Sequence, residues 1–177
     1  MRLFIALNFT DDFKSQVKDI VSKVKENSIQ GTFVNQEHMH LTVEFLGEIP
    51  STKVEIIKNV MKELKAESFT LKLTEIGYFK RREGNIYWLG IEKNNTLTNT
   101  QAILHKMLLD LGFELESREY KPHLTLGRKV KLKDDFNTGE LNSTVKKMEN
   151  YIDKIDLMKS ERINGKLVHS IIYSKQL

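Results

Sequence analysis

Two stretches of this 177-residue chain carry the same residue types in the same order: His40-Leu41-Thr42-Val43 and His123-Leu124-Thr125-Leu126. Both read as β-strands, and strand side chains alternate between faces. Each His and the Thr two places on therefore project from one face. Two such strands brought together would gather two imidazoles and two hydroxyls around one small space. Imidazole titrates near neutral pH, so one ring can take a proton while its partner gives one. Hydroxyls can hold oxygens on which charge builds. This inventory suits a phosphodiester, which needs its nucleophile deprotonated, its leaving oxygen protonated and its phosphate oxygens held.

Positioning such a pair requires a scaffold, and hydrophobic periodicity outlines one. Leu3 to Phe9 reads as a buried opening strand. Thr10, with Asp11 and Asp12 behind it, starts a helix whose apolar stripe is Phe13, Val17, Ile20, Val21 and Val24, ending near Asn27. Gly31 separates it from a strand region, Thr32 to Leu46, that carries the first motif. After Pro50, Thr52 and Glu55 form a capping-box signature for a second helix with Val54, Ile57, Met61 and Leu64 inward. Phe69, Leu71 and Leu73 alternate in a strand reaching about Tyr78, and Lys80 to Asn85 reads as a basic hairpin tip leading into Ile86 to Ile91. Leu97, Leu104, Leu108 and Leu111 mark a third helix closed by Gly112, and the second motif strand runs from Tyr120 to about Val130. Lys133 to Asn150 reads as loop with a short helix, before a last strand pair, Ile152 to Met158 and Leu167 to Tyr173, joined around Asn164-Gly165.

The order helix, HxT strand, strand pair occurs twice, with no Gly, Ser or Pro linker between the halves. The expected fold is α+β and bilobal: two similar, largely antiparallel sheets with helices outside and a central cleft lined by the HxT strands. It occupies residues 1–177 as a single two-lobed domain.

Composition narrows the chemistry. The chain has no cysteine, so disulfides, thiolate metal sites and a Cys nucleophile are excluded, and a reducing cytoplasm suits it. Five consecutive apolar residues, Leu3 to Leu7, are too few for a signal-peptide core, and no run is long enough for a membrane span. A net charge of +4, from 28 basic and 24 acidic residues, favours anionic partners. The cations cluster around the second motif, as Arg118, Lys121, Arg128, Lys129, Lys131 and Lys133, and again at Lys80-Arg81-Arg82. The second cluster has no assigned role.

Arg128 lies three beyond Thr125, which turns it to the opposite face of an ideal strand. It reaches a phosphate only if the chain bulges near Gly127 or the side chain wraps round. His38 and His40 share parity, but no carboxylate or third ligand has recognisable spacing, so no metal is expected. His105 reads as a helix-surface or boundary residue, His169 as a strand residue satisfied in the core or facing solvent, and Tyr87 and Trp88 as core. Tyr120 is the better stacking candidate.

The repeated motif, set in Tyr120 to Arg128 and continuing in the first copy as Glu44-Phe45-Leu46-Gly47, resembles the two-histidine phosphoesterase superfamily. It is most similar to the RNA 2′,3′-cyclic phosphodiesterases, also called 2′-5′ RNA ligases. The likeness extends to Arg2-Leu3-Phe4-Ile5-Ala6, Ile76-Gly77-Tyr78-Phe79, Trp88-Leu89-Gly90 and Leu157-Met158-Lys159-Ser160. It departs at Gln36-Glu37-His38-Met39, where the family commonly has Pro-Glu-Asn-Leu. The resemblance implies metal-independent opening of an RNA 2′,3′-cyclic phosphate end to a 2′-phosphate, without cofactor. It further implies His40 as proton donor, His123 as proton acceptor, and Thr42, Thr125 and Arg128 on the phosphate. The reverse reaction would join the cyclic end to a 5′-hydroxyl. Other readings are a relative acting on a small nucleotide, such as ADP-ribose cyclic phosphate or 2′-5′-oligoadenylate, and a non-catalytic RNA-end binder. A cytoplasmic monomer is expected.

Overall fold

The computed structural model describes residues 1–177 and begins with β1 (Arg2–Asn8), whose inner residues Leu3, Ile5 and Leu7 are fully buried. Thr10 caps α1 (Asp11–Glu26) by accepting the Phe13 N–H, with Asp11 and Asp12 in the first turn as the helix dipole favours. The Phe13, Val17, Ile20, Val21, Val24 stripe is buried as its spacing requires, and Asn27 is the C-cap.

The next segment differs from expectation. In place of one strand from Thr32 to Leu46 there are two, β2 (Ser28–Phe33) and β3 (His40–Glu48), separated by a 3-10 turn at Gln36–His38. Four consecutive polar residues, Asn35 to His38, cannot alternate inward and outward, and the chain changes sheets there. A second 3-10 turn, Ser51–Lys53, leads into α2 (Val54–Glu63). The capping box is not made: Thr52 falls inside that turn, and Glu55 pairs with Lys58 at 2.6 Å instead.

A hairpin of β4 (Phe69–Phe79) and β5 (Asn85–Ile91) precedes α3 (Asn95–Asp110). Leu97, Leu104 and Leu108 are buried in α3, whereas Leu111 lies past its end and is exposed. The second motif begins β6 (His123–Leu132), followed by the short α4 (Asn142–Val145). The expected Ile152 to Met158 strand is divided between β7 (Glu149–Ile152) and β8 (Lys154–Ile163), which lie in different sheets. β8 turns into β9 (Lys166–Gln176) through Asn164 and Gly165, with φ of 50° and 78°. Two left-handed residues in succession are what a tight two-residue hairpin turn requires, hence Asn-Gly.

The result is α+β, with two antiparallel sheets ordered β3-β1-β8-β9 and β2-β6-β5-β4-β7. α1 packs on β2 and β6, while α2 and α3 pack together and reach β9 and β3. One continuous cluster of 37 buried residues joins both sheets and the helices, so the sheets share an interior. The halves of the sequence are interlocked: β2, from the first half, pairs with β6, and β8 from the second half pairs with β1. No helix is long and apolar enough to cross a membrane.

Candidate active site

The alternation expected of each motif is present. In β3, Leu41 and Val43 are buried while His40 and Thr42 are half-buried; in β6, Leu124 and Leu126 are buried while His123 and Thr125 are half-buried. β3 and β6 approach each other although no ladder joins them. The Tyr120 hydroxyl donates to the Thr42 carbonyl at 3.1 Å, tying the approach to the second motif onto the first. Burial, with the negative charge of Glu44 behind it, pushes this phenol above its ordinary pKa. Tyr120 is thus a structural tie rather than an exposed stacking platform.

Both motif strands bulge at the same offset. Ala6 lies opposite Thr42 but Ile5 lies opposite Glu44, so Val43 is the extra residue. Trp88 lies opposite Thr125 but Tyr87 lies opposite Gly127, so Leu126 is the extra residue. In each copy two consecutive residues, Val43-Glu44 and Leu126-Gly127, are buried. Side-chain parity then reverses. The next residue, Phe45 in one copy and Arg128 in the other, returns to the face of the His and Thr. The strand-parity objection to Arg128 is thereby removed, and its positive charge helps hold the His123 pKa down. In the first copy, the Arg2 guanidinium lies over the Phe45 ring, 5.1 Å from its centroid.

The His123 imidazole is fixed by the backbone. His123 Nδ1 is 2.7 Å from the Lys121 carbonyl, two residues back. The backbone of His38, also two residues back, favours the protonated His40 ring. Burial works against both. It is the main cause lowering His40 from 6.5 to about 4, with the charge of His169 next, and it lowers His123, aided by Arg128 and Arg118.

Aromatic rings line both histidines. The His40 ring centroid lies 4.8 Å from Phe4 and 5.2 Å from His169. His123 meets Phe79 edge-on at 5.2 Å, with Trp88 at 6.4 Å. Sequence reasoning missed this surround and assigned both Tyr87 and Trp88 to the core. Tyr87 is buried, but Trp88, its neighbour, faces the opposite way, half-buried beside His123. Alternation alone could have separated them. His105, expected at the surface or boundary of its helix, is half-buried and bonds the buried Glu44 carboxylate through Nδ1 at 2.8 Å, joined by Gln101 Nε2 at 3.1 Å. This clamp fastens α3 to the back of the first motif strand.

A repeated strand bearing an inward-locked His and a Thr, mirrored across two antiparallel sheets, defines a phosphoesterase architecture, and the family profile described as LigT like Phosphoesterase matches the chain twice, over residues 7–88 and 89–169. The chain belongs to that family, and each match contains one HxT motif. Among its relatives is an RNA 2′,3′-cyclic phosphodiesterase of Methanocaldococcus jannaschii, 36% identical over 76% of this chain and 78% of that one. Another, of Thermotoga maritima and bearing the same name, is 34% identical over 72% of this chain and 70% of its own. The fold is shared with the crystal structure of E. coli LigT complexed with 3′-AMP, at a TM-score of 0.84 and 22% identity, covering 99% of this chain and 97% of that one.

Proposed function

We propose that the chain hydrolyses RNA 2′,3′-cyclic phosphate ends to 2′-phosphates, with His123 as proton acceptor, His40 as proton donor, and Thr42, Thr125 and Arg128 on the phosphate oxygens. The observation that carries the reading is the bond between His123 Nδ1 and the Lys121 carbonyl. A carbonyl only accepts, so the neutral ring carries its proton on Nδ1 and offers the Nε2 lone pair as base. The names of the relatives supply the substrate class.

In the forward step a water oxygen attacks phosphorus while Nε2 of His123 removes its proton. The bond from phosphorus to the 3′-oxygen breaks, and that oxygen takes a proton from His40. The hydroxyls of Thr42 and Thr125 and the guanidinium of Arg128 hold the non-bridging oxygens as charge builds there. The reaction leaves His123 charged and His40 neutral, and solvent exchange resets the pair. With a 5′-hydroxyl replacing water, the same two transfers form a 2′-5′ linkage.

The test is incubation of the full chain with an RNA ending in a 2′,3′-cyclic phosphate in the presence of EDTA. The expected product carries a terminal 2′-phosphate at an undiminished rate, because two imidazoles supply both proton transfers. A 3′-phosphate product, or activity that returns only with a divalent ion, would overturn the scheme.

A further inference from the structure

His40 is one corner of a ring cluster that the reaction above does not use. His169, from β9, lies 5.2 Å from His40 and 5.2 Å from Phe4, meeting the two rings edge-to-face at 67° and 70°. Phe4 closes the triangle at 4.8 Å from His40. Behind His169 stands His38, from the turn ahead of β3, at 5.0 Å and 62°. Nδ1 of His38 and Nδ1 of His169 are both buried without a hydrogen-bond partner. We propose that His169, backed by His38, is a positioning residue that orients the His40 ring and adds to the burial that keeps it uncharged until an anionic phosphate enters the site.

The Phe4 ring, tilted at 35°, and the His169 ring, edge-on at 67°, flank the His40 ring and leave it little rotational freedom. Charge acts as well. Imidazolium groups about 5 Å apart in a half-buried site repel strongly, so a proton on His169 or His38 opposes one on His40. Lys14, on α1, also opposes a proton on His40. The Asp156 carboxylate, buried on β8, accepts from Asn8 and Ser174 and is not among the charges that act on His40. Glu37 lies 3.7 Å from His38 Nε2, on the outer side of the cluster. A phosphate anion between the two motifs reverses this balance and draws a proton onto His40, where the reaction consumes it.

The inference rests on the acid–base reading of His40, but its test does not need turnover. Histidine titrations followed by NMR in the free protein are compared for the unaltered chain, His169→Gln, His169→Phe and His38→Asn. The expected result is a His40 midpoint raised by about half a unit or more when His169 loses its charge. The Phe variant keeps a ring in place, and the His123 midpoint stays where it was. In kcat/KM, the inflection belonging to His40 moves the same way. If His169→Gln fails to fold, the Phe and His38→Asn variants carry the comparison. A His40 midpoint unmoved in every folded variant would reduce His169 to a space-filler and overturn the proposal. Unimpaired turnover in His40→Ala would instead overturn the catalytic reading, while leaving the titration result standing.

Discussion

A histidine whose Nδ1 is committed to a carbonyl has one nitrogen left for chemistry, and His123 is held in this way by the Lys121 carbonyl two residues back. Removing either ring should therefore abolish one proton transfer outright. His40→Ala and His123→Ala are each expected to lower turnover of a cyclic-phosphate RNA by about 10²–10⁴-fold with the fold intact. Near-normal rates in either folded variant contradict the assignment. Both rings are depressed in the free protein, His40 to about 4, chiefly by burial. A bound phosphate anion raises both. The pH optimum of kcat/KM, which reports the free enzyme, should consequently lie on the acid side of the optimum of kcat; coincident optima would show that the bound anion leaves the pair unchanged. The same shift acts on stability. Below pH 6.5 the unfolded chain protonates His40 before the folded one does, so stability is complete above that pH and falls as pH drops toward 4. The loss is about 3 kcal/mol at most for this ring. Thermal melts across that window should fall less steeply in His40→Ala, and parallel curves would contradict burial of an uncharged ring. The motif residues were legible because a period-two pattern is local. The His38 and His169 contacts were not, because they join a turn to a strand more than a hundred residues away.

At the scale of elements, the paired bulges decide what shares a face with the histidines. They were anticipated for Arg128 only as a condition, since a bulge is a property of register between strands and not of one strand's sequence. The element periods themselves were read correctly for α1, β4 and the β8–β9 turn. The divided strand between β2 and β3 was legible in principle from the polar run Asn35 to His38, and its sheet change was not. The β4–β5 hairpin supplies a further test of how the site wall is built. Gly77 lies opposite Trp88, and a Cβ there would come within 2.2 Å of the indole Cη2 and 2.4 Å of Cζ2. The ring lies flat on the glycine because no other residue leaves it room. Gly77→Ala should displace the indole, cost about 1–3 kcal/mol of stability from overpacking, and slow turnover by disturbing the wall beside His123. Trp88 is the chain's single tryptophan, so its fluorescence reports the displacement directly. An unchanged emission spectrum with unchanged stability would show that the ring has space elsewhere.

For the whole molecule, the twofold repeat was visible in the order of motifs, but the exchange of strands between sheets was not, because long-range pairing such as β2 with β6 leaves no local signature. Around His123, Lys129 is paired with Glu83 at 2.6 Å and Lys121 with Glu119 at 3.6 Å, whereas Lys80, Arg81, Arg82 and Arg128 form no ion pair. The hairpin tip also connects to the site: the Arg81 guanidinium sits 6.0 Å from the Phe79 ring, whose edge meets His123. A cluster remote from the second motif in sequence therefore extends its cationic surface outward. A single strand of several nucleotides would meet more of these cations than a mononucleotide does. Each phosphate neutralised by a cation should add about −0.7 to the slope of log affinity against log salt. Replacing Lys80, Arg81 and Arg82 together with Ala should thus weaken binding of a ten-nucleotide RNA, reduce its salt slope by roughly 2, and affect a 2′,3′-cyclic mononucleotide less than the RNA. Equal RNA affinity and slope in the triple variant would favour a small nucleotide as the substrate, because the unpaired cations would then be solvated surface with no strand to hold.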